Sequence, residues 1–243
     1  MPAMNADETA PSPTSRPPRR SRSGRGAWLH RVSAAVVFAA CVTSATSVSQ
    51  HLARARVHAG TAIPGRMVDL GGFRIHMLEA GHAHRGGGPT VVLEPGGSGT
   101  AATWQHVVRE VGEHAYVIAY DLAGHGFSDD HREVRDNTRV AIDLYGMLKA
   151  DGVPGPYILV GHSLGGAYVR TFASLYPEEV GGMVLVDSSH SDQVERSFRR
   201  KVPVRILDSG DRLSSMLDSD HARVLSAVVL EVVDAARVAR AEA

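Results

Sequence analysis

Residues 157–166 read YILVGHSLGG, and the run AYVRTFASLY follows at once. The opening four residues are apolar with no polar alternation, as expected of a strand covered on both faces, and the later run has helical apolar spacing. Between them lies Gly161-His162-Ser163-Leu164-Gly165, a G-x-S-x-G motif in the strand-turn-helix setting that gives it meaning. Glycine is needed two residues before and after the serine because side chains there would collide with the adjoining strand and helix. Ser163 is therefore expected in a strained backbone conformation that presents its hydroxyl at the top of a sheet. The amide of Leu164, at the start of the helix, faces the same spot and can bind a developing oxyanion.

Working outward from this turn, strand-like and helix-like runs alternate. Short β-rich runs at 67–70 and 73–78 flank Gly71-Gly72 and read as a hairpin. Apolar runs at 90–93, 115–120, 157–160 and 183–186 are each short and bounded by Gly, Pro or Asp. Helical patterns occupy 103–111, 138–150 and 164–175, with Asn137 expected to cap the second and Gly152 to stop it. The pattern predicts an α/β fold with a mostly parallel sheet, an antiparallel start and helices on both faces. Ligands of such sheets gather at the carboxyl ends of strands, so function belongs in the loops that follow them.

Five passages in sequence order resemble the α/β-hydrolase fold family, in its exported bacterial-type members with a serine nucleophile. They are GRMVDLGGFRIHMLEAG at 65–81, VVLEPGGSGTAATW at 91–104, YDLAGHGFSD at 120–129, ILVGHSLGG at 158–166 and VGGMVLVDSSHSDQ at 180–193. The resemblance implies that Ser163 is the nucleophile and that the Gly97 amide is the second oxyanion donor beside that of Leu164. Glu94-Pro95 departs from the His-Gly pair of many relatives, but a backbone donor does not depend on that side chain. Asp121, Gly124, Gly126 and Ser128 match a structural motif of the family and are read as loop-shaping. Dehalogenase and epoxide hydrolase relatives carry Asp at the turn, so Ser163 disfavours those chemistries.

A serine hydroxyl needs a neutral imidazole to take its proton and a carboxylate to orient that ring, and the family's order is Ser, acid, His. Asp187, closing the run MVLVD, is the leading acid. If 201–207 (KVPVRIL) is a seventh strand, Asp208 or Asp211 takes that role instead; alternatively, residues 191 onward form a cap or a partial C-terminal region. His190 lies too close in sequence to Asp187 to partner it, His221 heads an amphipathic stretch, and His162 is a filler of the turn. No histidine has the family's usual position and setting, so a C-terminally shortened, inactive member is the alternative to an acyl-bond hydrolase.

Composition bounds the remaining possibilities. The chain has 243 residues, 43% apolar and 21% charged, with 26 basic and 26 acidic side chains. This is enough to bury a substantial core and leaves no basic excess for nucleic acid. Cys41 is the lone cysteine, which excludes an intrachain disulfide. Serine hydrolysis of a small-molecule acyl substrate needs no cofactor, and no histidine set has metal-ligand spacing.

Residues 1–31 are rich in Pro, Ser, Arg and Gly and are expected to form a disordered basic tail. Residues 32–53 carry no Lys, Arg, Asp or Glu and read as a secretory signal or a membrane anchor, joined by a linker at 54–65 to the hydrolase domain at 66–243. Arginine before the apolar run keeps the N-terminus inside and places the domain outside the cytoplasm.

Overall fold

A computed structural model describes residues 65–97, 99–130, 136–188, 202–207 and 219–242. The expected tail, the apolar segment and all but the last linker residue lie outside these. Among the described residues, no helix is long and apolar enough to cross a membrane.

Seven strands form one sheet: β1 Arg66–Asp69, β2 Arg74–Ala80, β3 Thr90–Glu94, β4 Val117–Tyr120, β5 Tyr157–His162, β6 Val180–Val186 and β7 Val204–Leu207. Their spatial order is β1-β2-β4-β3-β5-β6-β7. The pairs β1–β2 and β2–β4 are antiparallel and the remaining four are parallel. Every residue of β3 and β4 is buried, because helices cover both faces and leave no position for a polar alternation. The run KVPVRIL does supply a strand, and Val186 of β6 stands opposite Leu207 of β7.

The helices are α1 Gln105–Gly112, α2 Asn137–Ala150, α3 Gly165–Leu175 and α4 Ser219–Ala241. Helix α2 buries Val140, Ala141, Leu144, Met147 and Leu148, a stripe at the 3.6-residue period. With Val169 and Phe172 of α3 it covers one face of the sheet. On the other face, Val107, Val108 and Val111 of α1 join Leu225, Val229, Val232 and Val233 of α4. The cap of α2 differs from expectation. Asp136, in extended conformation, accepts from the Arg139 amide at 2.7 Å, and Asn137 is already helical. A carboxylate there satisfies an orphan amide and also opposes the positive end of the helix dipole.

Arg66 locks the sheet's hairpin edge. Its guanidinium donates to Glu79 of β2, with Nε 2.7 Å from Oε1, and to Asp151 just beyond α2. Tyr116 donates to the second oxygen of Glu79. Burial alone would raise the Glu79 carboxyl, but the bonds from Arg66 and Tyr116 hold it below its ordinary value.

Candidate active site

The turn between β5 and α3 has the strain expected of it. Ser163 has φ 52°, a left-handed conformation that costs a non-glycine residue about 1–2 kcal/mol. Its amide donates to the Val186 carbonyl at 3.0 Å, and its own carbonyl accepts from the Gly166 amide at 3.1 Å. The flanking glycines are explained by distance. A Cβ on Gly161 would lie 2.7 Å from the Gly165 carbonyl oxygen. One on Gly165 would lie 2.5 Å from the Pro95 oxygen and 2.7 Å from that of Glu94. The first turn of α3 therefore rests directly on the backbone that leaves β3.

That contact brings the β3 loop to the serine. The position of a Cβ on Gly96 is 3.5 Å from Ser163 Cβ, and that of a Cβ on Gly97 is 2.8 Å from Leu164 Cδ2. Gly97 and Leu164 thus lie side by side, with Gly96 against the serine side chain. Leu164 is 41% exposed.

Asp121, only 1% exposed, fixes the same loop from below. Its carboxylate accepts from the Ala101 amide at 2.7 Å, the Phe127 amide at 2.8 Å and His76 Nδ1 at 2.8 Å. Ser128 Oγ donates to the Asp121 carbonyl at 2.7 Å and accepts from the His76 amide at 2.9 Å. Asp121 and Ser128 therefore join β2, the β3 loop and the β4 loop through buried and half-buried hydrogen bonds, which are strong where a charge is met by several donors. The histidine in this network is committed to a structural carboxylate.

Asp187 directly follows β6. It has φ 43°, and its amide donates to the Leu207 carbonyl at 2.8 Å, extending the β6–β7 ladder by one bond. His162 opposes Val186 in the register, so Ser163 and Asp187 leave neighbouring strands at the same level. Burial lowers the His162 imidazole below its ordinary value, while the charge of Asp187 acts in the opposite direction. His162 Nε2 is buried without a hydrogen-bond partner among the described residues. A neutral ring beside the serine fits the role of filler.

Asp208, Asp211 and His190 lie outside the described residues, and His221 is exposed in the first turn of α4. Among the described residues, no group of three or more His, Cys, Asp or Glu could hold a metal ion.

One feature escaped the sequence reading. Glu94, at the end of β3, is wholly buried, and the Tyr120 hydroxyl of β4 donates to its Oε2. The signal was an acid ending an otherwise apolar run, VVLE, inside a sheet covered on both faces.

A nucleophile-type turn on a mixed, mostly parallel sheet, with a glycine loop beside it, defines the α/β-hydrolase class of fold. A family model described as alpha/beta hydrolase fold matches residues 89–225, and the chain belongs to that family. It is 31% identical over 141 residues to an uncharacterised protein of Bacillus subtilis, covering 57% of this chain and 54% of that one. To an esterase of Mycobacterium tuberculosis it is 34% identical over 106 residues, covering 44% and 35%. A CIB-like hydrolase from Thermoplasma acidophilum has a similar structure, with a TM-score of 0.55 at 17% identity, covering 70% of this chain and 99% of that one. That likeness concerns the fold. The chain spans 18% and 54% of the length of two of the curated relatives it matches.

Proposed function

We propose that this protein is a serine hydrolase that cleaves an ester, amide or related acyl bond of a small molecule through an acyl-serine. The observation that carries this reading is the left-handed Ser163 on the β5–α3 turn, with Gly96 and Gly97 packed alongside. The esterase among its relatives is consistent with it.

In this reading, Ser163 Oγ attacks the acyl carbon and gives its proton to an imidazole. The carbonyl π electrons move onto oxygen, where the amides of Leu164 and Gly97 hold the charge; each such donor contributes about 100-fold to 1,000-fold in turnover. The protonated imidazole then donates to the leaving group as the tetrahedral intermediate collapses to the acyl-serine. Water, deprotonated by the same ring, attacks this ester, and the ring returns that proton to Ser163 Oγ as the carboxylic acid leaves. Asp187 is the proposed acid that orients the ring and stabilises its charge. The apolar segment at 32–53 is proposed to anchor the protein or direct its export, placing the domain outside the cytoplasm.

The competing reading is a hydrolase-fold protein without turnover. Two of the described histidines bear on it, since His76 is bound to Asp121 and His221 is exposed on α4. A fluorophosphonate probe on the full chain separates the two. Labelling that disappears in Ser163→Ala supports the enzyme. Labelling that persists in that variant removes Ser163 from its role, and no labelling of the wild type favours the inactive protein.

A further inference from the structure

We propose that Glu94 is a positioning residue for this site: a neutral carboxylic acid bonded to Tyr120 beneath the first turn of α3, which holds the Pro95-Gly96-Gly97 loop against the serine turn and loosens it on ionisation. This inference rests on the acyl-serine reading for its catalytic half and on the buried pair alone for its structural half.

The geometry gives the reason. Glu94 is the last residue of β3, so its backbone leads directly into the proposed oxyanion loop. Its carbonyl oxygen and that of Pro95 form the floor on which Gly165 sits, and Glu94 Cγ is 3.1 Å from where a Gly165 Cβ would be. The side chain is thus wedged under the turn that carries Ser163. It is 0% exposed; Tyr120 donates to one carboxyl oxygen, and the other, Oε1, has no hydrogen-bond partner among the described residues. A carboxylate with one neutral donor and one orphan oxygen, out of reach of water, would be a poorly compensated buried charge.

Among the described residues, the neighbouring groups do not supply the missing compensation. On β4, Tyr120 is itself fully buried, and burial together with Glu94 raises its hydroxyl well above the ordinary phenol value. Tyr168 of α3 and Asp143 of α2 also bear on Tyr120, both in the direction that keeps it protonated. Asp143 is paired with Arg139, whose Nε is 2.9 Å from Oδ1. On β5, the residue opposite Glu94 is Gly161, and the next, His162, is held towards its neutral form by burial. The Glu94 carboxyl is accordingly pushed up by burial to about 8, although the Tyr120 bond acts to lower it.

The sign of the pH dependence follows. The folded state holds the Glu94 proton where the unfolded chain has lost it, so stability is fully present below the ordinary glutamate range and is lost as pH rises to about 8. Above this, the new charge sits under the loop that carries the Gly97 amide.

The test compares wild type with Glu94→Gln, which keeps the shape and a hydrogen-bonding oxygen but cannot ionise, in the full chain. Two readouts are taken between pH 5 and pH 9.5: the melting temperature and the rate of fluorophosphonate labelling at Ser163. The melting temperature of E94Q minus that of wild type is expected to rise with pH by at least about 5 °C. The ratio of labelling rate at pH 9.5 to that at pH 7 is expected to be at least about 5-fold higher in E94Q, because only the wild type acquires the buried charge. Glu94→Ala, which removes the wedge, is expected to label at least about 10-fold more slowly than E94Q at pH 7. A melting-temperature difference that does not change with pH overturns the neutral-acid assignment. A changing difference with identical labelling profiles in wild type and E94Q overturns the link to the loop. Absence of labelling in the wild type at every pH overturns the acyl-serine reading and the catalytic half of this one, while the melting temperatures still decide the protonation state.

Discussion

Ser163 and Asp187 are the non-glycine residues with positive φ among the described residues, at 52° and 43°, and each directly follows one member of the register pair His162 and Val186. Two neighbouring parallel strands therefore end in left-handed turns at the same level, and the Ser163 amide reaches across to the Val186 carbonyl. Backbone strain concentrated at the carboxyl ends of neighbouring strands is a mark of a functional region, since packing elsewhere must hold such conformations in place.

The strain at Ser163 is measurable. Ser163→Gly removes the left-handed penalty but adds chain entropy to the unfolded state, whereas Ser163→Ala keeps the penalty. The glycine variant is expected to be more stable than the alanine variant by about 1 kcal/mol, read as a difference of about 2–4 °C in thermal melting. Both should fail to label with the fluorophosphonate probe.

Gly165→Ala places a methyl against two carbonyl oxygens, neither of which moves cheaply. Stability is expected to fall by about 1–3 kcal/mol in denaturant titration, with labelling at Ser163 falling alongside it as the β3 loop is pushed away.

If Asp187 orients the catalytic imidazole, Asp187→Asn should lower turnover by about 10,000-fold through the wrong ring tautomer. Because asparagine tolerates the left-handed region, its melting temperature should stay close to that of wild type. Asp187→Ala should lose the same activity and also melt lower. Unchanged turnover in Asp187→Asn would move the acid elsewhere.

Asp121→Ala leaves the Ala101 and Phe127 amides and His76 Nδ1 without the carboxylate they share. Orphaning several buried donors should cost about 3–5 kcal/mol in chemical denaturation, with the β3 and β4 loops becoming the first segments to exchange amide hydrogens.

Acid stability should depend on the Arg66 network. Because the folded state holds the Glu79 carboxyl below its ordinary value, its contribution is present above the usual glutamate range and is lost as pH falls through the folded value. Melting curves between pH 3 and pH 6 are expected to fall more steeply towards acid for wild type than for Arg66→Met, which lacks the guanidinium.

Local chemistry made much of this legible in advance. The unbroken apolar runs gave the buried strands, and the glycine spacing around Ser163 gave the turn, because each constraint acts between residues close along the chain. The cap of α2 moved by one residue, from Asn137 to Asp136, since both types can cap and only backbone geometry chooses between them. Asp121 could be assigned to loop shaping, but its partners Ala101 and His76 lie 20 and 45 residues away and could not be named from spacing.

The sequence by itself determined the order of strands and helices, the serine on its turn and the glycine loop expected beside it, because periodicity and steric exclusion are encoded locally. Only the tertiary structure decided that Asp187 leaves its strand level with Ser163, and that Glu94 lies under the turn with one oxygen unpaired among the described residues. Those relationships depend on which strands pair and in what register. They are set by packing between segments distant in sequence, where burial and the hydrogen-bond partners it leaves available fix the chemistry of each side chain.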